Sequence, residues 1–423
     1  MMFQRLRTLF AEASVATALA TTLVVRLSPC AVAQGSGPQW VGTWATSPIS
    51  DNSGEGFNHQ TLRQIVHTSV GGTMARIQVS NVFGTQPLTI ADVHIAQRDT
   101  GSSIVANTDR AVHFGGLATV IIQPGTMVFS DPIDFHVPLL ADVVISVYLP
   151  NPTELATYHP SGFQTNYIAD GDVSRNTDLP GTKTTKSYYF LTNLDIQGQA
   201  VRGSVVTLGA SITDGYSALP DTNRRWPNDL AKRLLDAGIE VGVLNEGISG
   251  NRLLAAGAGE SAETRFDRDV LTQPGVRWVI FSDEPINDLG STHPQHSGDQ
   301  LIEAIERLIA RAHQRQIRFY CSTLTPYQGA GYWTKEGEMA REQINAFIRS
   351  SASGCDGVID QDAATHDPAH SAQYLPAFDS GDHLHPNATG LQAIADAVDR
   401  TLFLTPADRV QSLDRQTSVQ SKH

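Results

Sequence analysis

The front half of the chain is a succession of short segments whose residues are β-branched or alternate between apolar and polar. Such segments occupy residues 61–69, 75–82, 88–96, 119–122, 142–149 and 187–194. Gly-Gly, Pro-Gly and Asn-Pro pairs separate them, as is usual for turns between strands. No long segment with helical periodicity interrupts this pattern. Residues 34–199 are therefore predicted to form an all-β sandwich of the jelly-roll type.

The second half alternates between short apolar runs and amphipathic segments. Residues 204–208, 240–244, 276–281, 317–322 and 357–359 are almost entirely apolar, as is typical of parallel strands that are buried on both faces. The segments between them place apolar residues three or four positions apart, and one begins at Pro227 and ends near Gly238. Residues 200–405 are predicted to be a doubly wound α/β domain with a five-stranded parallel sheet. Its site should lie at the carboxyl ends of the strands, and the polar tail at 406–423 should fray.

Residues 1–33 have the pattern of an export signal. A basic start is followed by a largely apolar run at 15–25 and by Ala-Val-Ala at 31–33, which is a small-residue cleavage site. Lipid attachment at Cys30 is a weaker alternative, because the adjacent Pro29 fits that motif poorly. We therefore expect a secreted protein, either extracellular or periplasmic.

Composition and charge narrow the functional classes. Of the 423 residues, 40% are apolar and 17% are charged, which is typical of a folded chain rather than a disordered one. The formal net charge of −13 argues against nucleic acid as a partner. The sequence contains no run of 18 or more apolar residues, so no membrane span is predicted. The composition leaves the oligomeric state open.

Two cysteines remain once the predicted signal, with Cys30, is removed. Cys321 ends one apolar run, and Cys355 precedes the next. In adjacent parallel strands these positions lie at opposite ends, separated by about four residues at ~3.3 Å each, which exceeds the reach of a disulfide. We predict two free, buried thiols without a catalytic role.

Ser211 is the first candidate for chemistry, since it directly follows the first predicted parallel strand in the segment GASITDG at 209–215. A serine that opens a helix at a strand end has its backbone N–H directed to where an oxyanion would form. The common alternative is an N-cap serine in a glycine turn. The segment is not the G-x-S-x-G turn, because Thr213 occupies the place of the second glycine.

Asp382 and His385 precede the last predicted helix in the segment DHLHPN. A nucleophilic serine needs a general base, and the base needs an orienting carboxylate, so this pair supplies both. A polar surface loop is the alternative for an isolated D-x-x-H. Asp367 with His370 is a second D-x-x-H, which ranks lower because no predicted helix begins after it. Asp379 is a weaker candidate for the orienting carboxylate.

Gly250 and Asn287 follow the next two predicted strands. Gly250 lies in NEGISGN at 245–251 and Asn287 in EPIND at 284–288. Taken singly, these segments are typical of a glycine-rich turn and of a helix cap. A Ser, a Gly, an Asn and a His that follow successive elements at one edge of one sheet are far more specific together.

In these four segments the sequence resembles the SGNH hydrolases, also called the GDSL-like lipase/acylhydrolase family. GASITDG, NEGISGN, INDLG and DHLHPN occur in the family's order and spacing across residues 200–405. The front half, with WVGTWATSP and TLRQIVHTSVGG, resembles the β-sandwich of a secreted branch of that family. The resemblance implies a flavodoxin-like hydrolase domain with Ser211 as nucleophile, His385 as base and Asp382 as its orienter. It also implies an oxyanion hole formed by Ser211 N–H, Gly250 N–H and the Asn287 amide.

The sequence departs from the family pattern at two positions. Ala210 stands where the family usually has Asp before its serine, and Pro285 stands where it usually has Gly before the Asn. The segment FSDEPIND is also one residue longer than usual. Because neither departure touches the triad, the oxyanion role of Asn287 is the part of the site that they affect most.

The predicted function is a serine esterase that cleaves carboxylic esters of small molecules or carbohydrates, with short acyl or acetyl groups, through an acyl-enzyme on Ser211. The alternatives are a non-catalytic carbohydrate-binding protein on the same fold and an acyltransferase to a sugar hydroxyl. No cofactor is expected. No metal site is expected either, because the histidines lack an HExxH motif or a Cys/His pairing; the candidates considered are His293, His296, His383 and His385.

Overall fold

The computed structural model describes residues 39–50, 56–179 and 181–404. The predicted export signal, the C-terminal tail at 406–423 and Cys30 lie outside the described residues. The strands of the front half are β1 (Val41–Ala45), β2 (Ile49–Ser50), β3 (Gln60–His67), β4 (Gly72–Ser80), β5 (Leu88–Gln97), β6 (Arg110–Val112), β7 (Thr119–Ile122), β8 (Met127–Phe129), β9 (Ile133–Val137), β10 (Asp142–Leu149), β11 (Thr157–His159), β12 (Asn166–Asp170), β13 (Lys183–Thr185), β14 (Tyr188–Tyr189) and β15 (Leu191–Gln197).

Two antiparallel sheets of the front half share one apolar core. The first sheet has the order β1-β15-β4, with both β8 and β9 pairing with β4; the second has the order β13-β12-β3-β10-β5, with both β6 and β7 pairing with β5. Ile77 of the first sheet and Leu62 of the second belong to the same buried cluster. The predicted all-β sandwich is thereby confirmed. A small third sheet, β14-β11-β2, accompanies the two larger ones.

The second half alternates strands and helices. Its elements are β16 (Ser204–Gly209), α1 (Ser211–Asp214), α2 (Trp226–Asp236), β17 (Gly242–Gly247), α3 (Ala262–Phe266), β18 (Val276–Phe281), α4 (Glu284–Ser291), α5 (Gly298–Gln314), β19 (Arg318–Ser322), α6 (Lys335–Arg349), β20 (Gly357–Ile359), α7 (Gln361–Thr365), β21 (His366–Asp367), β22 (His370–Tyr374) and α8 (Ala388–Asp396). A π-helical turn at Asp267–Leu271 extends α3.

The predicted five-stranded parallel sheet is confirmed, with the strand order β17-β16-β18-β19-β20. All six residues of β16 are buried, which explains why its sequence is mostly apolar and has no charged residue. The helices contact one another in two groups, α8 with α2 and α7, and α5 with α3 and α6, as in a doubly wound domain. The longest helix, α5, has 17 residues. Over the residues described, no helix is both long and apolar enough to cross a bilayer.

Strand β1 of the sandwich crosses the edge strand β17 of the parallel sheet. Two glycines meet at this crossing, since a Cβ on Gly242 would lie 2.0 Å from the Gly42 carbonyl oxygen. The Gly42 N–H donates to the Pro274 carbonyl at 3.0 Å, and the Val243 N–H donates to Ser69 Oγ at 2.9 Å. The sandwich therefore covers an edge that would otherwise present unpaired backbone groups.

The prediction of two free thiols is wrong, because Cys321 and Cys355 form a disulfide with their Cα atoms 5.8 Å apart. The prediction assumed that Cys355 continues the line of β20, whose Val358 pairs with Cys321. Instead the chain turns at Gly354, which has a φ of +74° and whose added Cβ would lie 3.7 Å from Ile309 of α5. This turn, directly before Cys355, brings the Cα of Cys355 within 5.8 Å of that of Cys321.

Candidate active site

Ser211 stands where β16 ends and α1 begins. A buried carboxylate from the end of β18 fixes this turn, since Asp283 accepts hydrogen bonds from the Ile212 N–H at 2.8 Å and from the Thr213 hydroxyl at 2.6 Å. Burial raises the pKa of Asp283, against the lowering effect of these hydrogen bonds. The sequence analysis missed Asp283, for which the only signal is the acidic pair before Pro285.

The structure brings Ser211, His385 and Asp382 into one hydrogen-bonded relay. His385 Nε2 lies 2.8 Å from Ser211 Oγ, and His385 Nδ1 lies 2.6 Å from Asp382 Oδ2. Burial raises the pKa of Asp382, but hydrogen bonds from the His385 side chain and from the N–H groups of His385 and Leu384 outweigh it and lower that pKa to about 2. An ionised carboxylate only accepts, so Nδ1 carries the proton and Nε2 presents its lone pair to the Ser211 hydroxyl.

The two competing acid–histidine pairs lie elsewhere. Asp379 Oδ2 binds Nδ1 of His383 at 2.6 Å, so this carboxylate is engaged by a different histidine. Asp367 and His370 face each other at 3.4 Å across the β21–β22 hairpin, where the His370 side chain is 67% exposed. Of the histidines in these pairs, only His385 lies within hydrogen-bond distance of Ser211.

Tyr216 forms one wall of the site. Its place there was not predicted from the sequence. Its ring lies 4.1 Å from the His385 ring, centre to centre, with 38° between the planes. The side chain is 47% exposed, so it lines the approach to the histidine from solvent. The neighbouring Ser217 hydroxyl donates to the Pro386 carbonyl, which ties this loop to the segment that carries His385. No periodic pattern in the sequence marks a residue in such a loop.

The candidate oxyanion donors lie at the ends of β16 and β17. Gly250 has a φ of +80°, a conformation that glycine adopts without strain, and the Asn251 N–H closes this turn on the Ile248 carbonyl at 3.0 Å. Within the described ranges, neither the Ser211 N–H nor the Gly250 N–H has a protein acceptor. These two backbone groups are therefore available to a ligand.

Asn287 is held next to this turn by hydrogen bonds at both ends of its amide. Its Nδ2 donates to the Asn251 carbonyl at 2.7 Å, and its Oδ1 accepts from the Tyr332 hydroxyl at 2.9 Å. The amide nitrogen carries a second hydrogen, which these two contacts do not use and which can be donated to a ligand. Pro285 lies in the first turn of α4, where a missing N–H costs nothing, so it accommodates the helix that presents Asn287.

The arrangement contains the parts that acyl transfer requires: a hydroxyl hydrogen-bonded to an imidazole, an ionised carboxylate behind the imidazole, and free N–H donors beside the hydroxyl. Ser211 and His385 are each 8% exposed, so little of the relay is in contact with solvent. Across the part of the chain that is described, no group of three or more His, Cys, Asp or Glu is arranged to hold a metal ion.

Comparison with known proteins identifies the second half. Residues 207–393 match the model of the GDSL-like Lipase/Acylhydrolase family. This part of the chain is therefore a GDSL-like domain, and the protein is a serine ester hydrolase. The match begins inside β16 and ends inside α8, so it spans the entire relay. No curated protein matches the sequence.

A search of solved structures matches several esterases. A variant of an acetyl xylan esterase from Geobacillus stearothermophilus is 20% identical, with 47% of this chain and 94% of that one aligned at a TM-score of 0.37. A family two carbohydrate esterase from Cellvibrio japonicus is 12% identical, with 87% of this chain and 96% of that one aligned at a TM-score of 0.36.

Proposed function

We propose that this chain, whose residues 207–393 belong to the GDSL-like lipase/acylhydrolase family, is an exported esterase that removes acetyl or other short acyl groups from small-molecule or carbohydrate esters. The observation that carries the proposal is the relay from Ser211 through His385 to Asp382, with contacts of 2.8 and 2.6 Å.

Acylation begins with the ester carbonyl beside Ser211. The Ser211 oxygen attacks the carbonyl carbon while His385 Nε2 takes the hydroxyl proton, and the carbonyl oxygen becomes an oxyanion. The N–H groups of Ser211 and Gly250 and the Asn287 amide stabilise that charge. The tetrahedral intermediate then expels the alcohol, which receives the proton from His385. The acyl group remains on Ser211.

Deacylation repeats the sequence with water in place of the serine. His385 Nε2 takes a proton from water as the water oxygen attacks the acyl carbon, and the same donors stabilise the second oxyanion. Return of the proton to Ser211 Oγ releases the carboxylic acid. The Asp382 carboxylate, whose pKa is about 2, stays ionised at neutral pH and stabilises the imidazolium during both acylation and deacylation.

The preference for a short acyl group is inferred from the closed side of the site. Asn287 is 7% exposed, and hydrogen bonds to Asn251 and Tyr332 hold it on the buried side of the proposed oxyanion position. On the other side, the half-exposed ring of Tyr216 lines the approach to His385. A large alcohol group, such as a sugar, fits this open side better than a long acyl chain fits the closed one. An aromatic ring at such a rim also suits the apolar face of a pyranose.

Export is proposed from two observations. The pattern of residues 1–33 is that of an export signal. The Cys321–Cys355 disulfide is a feature of proteins that fold in an oxidising compartment.

The test uses the chain without residues 1–33 and a p-nitrophenyl ester series from acetate to octanoate. We expect turnover to be fastest with acetate and to be lost in Ser211→Ala. Equal rates for the two proteins would overturn the proposal and favour a non-catalytic carbohydrate-binding protein. A product ester that appears when a sugar is added would identify acyl transfer to a sugar hydroxyl instead of hydrolysis.

A further inference from the structure

A histidine of the sandwich half is inserted beside the nucleophile turn. His159 ends β11 and is 2% exposed, although it belongs to the half of the chain that carries none of the relay residues. Its Nδ1 lies 2.9 Å from the Ser47 carbonyl oxygen, and its Nε2 lies 3.2 Å from Oδ1 of Asp214. Asp214 is the last residue of α1, three positions after Ser211, and is 1% exposed.

The partners of His159 determine where its protons lie. A backbone carbonyl only accepts hydrogen bonds, so Nδ1 must donate to Ser47. The contact between Nε2 and Asp214 then contains one proton, since two lone pairs would repel each other at that distance. The histidine and the carboxylate therefore form a hydrogen-bonded pair that is sealed from solvent. Such a pair holds both groups more rigidly than an exposed one.

The other oxygen of Asp214 holds the turn that precedes Gly250. Asp214 Oδ2 accepts from the Ser249 N–H at 2.9 Å and from the Ser249 hydroxyl at 2.6 Å. The peptide between Ser249 and Gly250 contains the Gly250 N–H, which is one of the proposed oxyanion donors. One carboxylate thus connects His159 to the residue that fixes the orientation of this donor.

We propose that His159 is a positioning residue for the oxyanion hole. It orients Asp214, Asp214 fixes Ser249, and Ser249 fixes the direction of the Gly250 N–H. The inference rests on the proposed function, because it assigns Gly250 a role in the same site. It also gives the sandwich half a part in the reaction, since this half supplies both His159 and the Ser47 carbonyl.

Ser47, whose carbonyl accepts from His159, is itself held by hydrogen bonds to residues of the second half. Its hydroxyl donates to Glu246 Oε2 at 2.5 Å and accepts from Arg265 Nη1 at 2.7 Å. Glu246 lies in β17, four residues before Gly250. The support of His159 and the proposed donor are therefore anchored to the same strand.

The experiment compares two substitutions that each keep one of the two contacts. The amide of His159→Asn can still donate to the Ser47 carbonyl in place of Nδ1, but it does not reach Asp214. The longer amide of His159→Gln can donate to Asp214 in place of Nε2. We expect His159→Asn to lower kcat at least tenfold with KM changed less than twofold, and His159→Gln to recover kcat to within about threefold of the original chain. An interaction that acts mainly on the transition state has this signature.

A boronic acid that forms a tetrahedral adduct on Ser211 gives the second measurement. Its affinity should fall in parallel with kcat in His159→Asn, because the adduct places an oxygen in the oxyanion hole. Ser249→Ala serves as the variant that leaves His159 intact and removes one bond to Asp214, and it should weaken boronate binding to a smaller degree. If His159→Asn does not fold, this variant and His159→Gln still test the connection.

The outcomes separate this inference from the proposed function. If Ser211→Ala keeps its activity, the proposed function fails. If Ser211→Ala is inactive while His159→Asn keeps the original kcat and boronate affinity, the positioning role alone is overturned. The same holds if His159→Asn lowers only the unfolding midpoint, because the histidine would then serve only to join the two halves.

Discussion

At the scale of single residues, two aspartates make nearly identical contacts but only one belongs to the relay. Asp382 and Asp379 each bind Nδ1 of a histidine at 2.6 Å, yet only His385 continues to Ser211. We expect Asp382→Asn to lower kcat by about 10³–10⁴, because an amide no longer holds the required tautomer of the imidazole. The matched substitution Asp379→Asn should change kcat by less than about threefold. Steady-state rates with p-nitrophenyl acetate measure both.

The opposite result is equally informative. A large loss in Asp379→Asn together with activity in Asp382→Asn would exchange the roles of the two carboxylates. From the sequence, Asp382 ranked higher because of its D-x-x-H spacing from His385 and because the resemblance to the SGNH hydrolases implies it as the orienting carboxylate. The structure adds that the Asp382 carboxylate also accepts from the N–H of His385 at 2.9 Å, which fixes the loop between them.

Asn287 is the residue on which the departures from the family pattern bear most directly. If its remaining N–H donates to the oxyanion, Asn287→Ala should lower kcat by about 10²–10³ while KM changes little. A side chain that only supports the turn through the Asn251 carbonyl, at 2.7 Å, would act differently. Its removal would lower the unfolding midpoint and leave kcat nearly intact. Measuring both quantities on the same variant distinguishes the two roles.

At the scale of elements, what the sequence could predict depends on burial and length. The parallel strands were predictable because strands buried on both faces, such as β16, are mostly apolar and lack the polar alternation of a half-exposed strand. The three-residue strand β11 is too short to show a period, so the position of His159 could not be inferred. Asp283 was equally hidden, since its contacts with the Ile212 N–H and the Thr213 hydroxyl depend on how two strand ends meet.

The disulfide is the element-scale feature on which the sequence analysis was wrong, and it leads to a prediction. Cys321 and Cys355 are 34 positions apart, so the bridge closes a loop that contains all of α6. Removing it as Cys321→Ser with Cys355→Ser should lower the free energy of unfolding by about 2–4 kcal/mol. The effect on kcat of the folded enzyme should stay below about twofold, because no relay residue touches the bridge. Denaturant unfolding and kcat at 25 °C test the two parts.

If the denaturant midpoint of the variant without the disulfide is unchanged, the turn at Gly354 and the packing of α6 already fix the loop between Cys321 and Cys355. The single substitution Cys355→Ser, which leaves Cys321 buried as a thiol, is the milder control. This single variant should show most of the decrease in the free energy of unfolding, since the cross-link contributes more to stability than the packing of the two sulfur atoms.

At the scale of the whole molecule, one buried arginine links both halves of the chain to the site. Arg265 donates to Ser47 of the sandwich half at 2.7 Å, to the Glu246 carbonyl at 2.8 Å and to Glu284 Oε1 at 2.6 Å. It also contacts the Gly209 carbonyl at the end of β16 at 3.3 Å. The loop after β1, two parallel strands and the start of α4 thus converge on a single side chain. Its acidic partners should make the stability of the assembly depend on pH.

Glu284 gives this dependence a direction. Burial, only partly opposed by Arg265, raises the pKa of Glu284 to about 7, whereas a glutamate in an unfolded chain titrates near ~4.3. Between these pH values the folded chain binds a proton that the unfolded chain does not. The free energy of unfolding should therefore increase as the pH is lowered from about 8 to about 5.

Glu284→Gln should flatten this increase in the free energy of unfolding, because an amide binds no proton between about pH 8 and about pH 5. Only the slope of the unfolding midpoint against pH reports on Glu284, since the substitution also weakens the pairing with Arg265. Asp195, whose pKa burial raises to about 6, contributes a slope of the same sign to both proteins, so it cancels in the comparison. Thermal unfolding of the two proteins at pH 5, 6, 7 and 8 provides the measurement. Two parallel curves would mean that Glu284 remains ionised beside Arg265 throughout, held by charge rather than neutralised by burial.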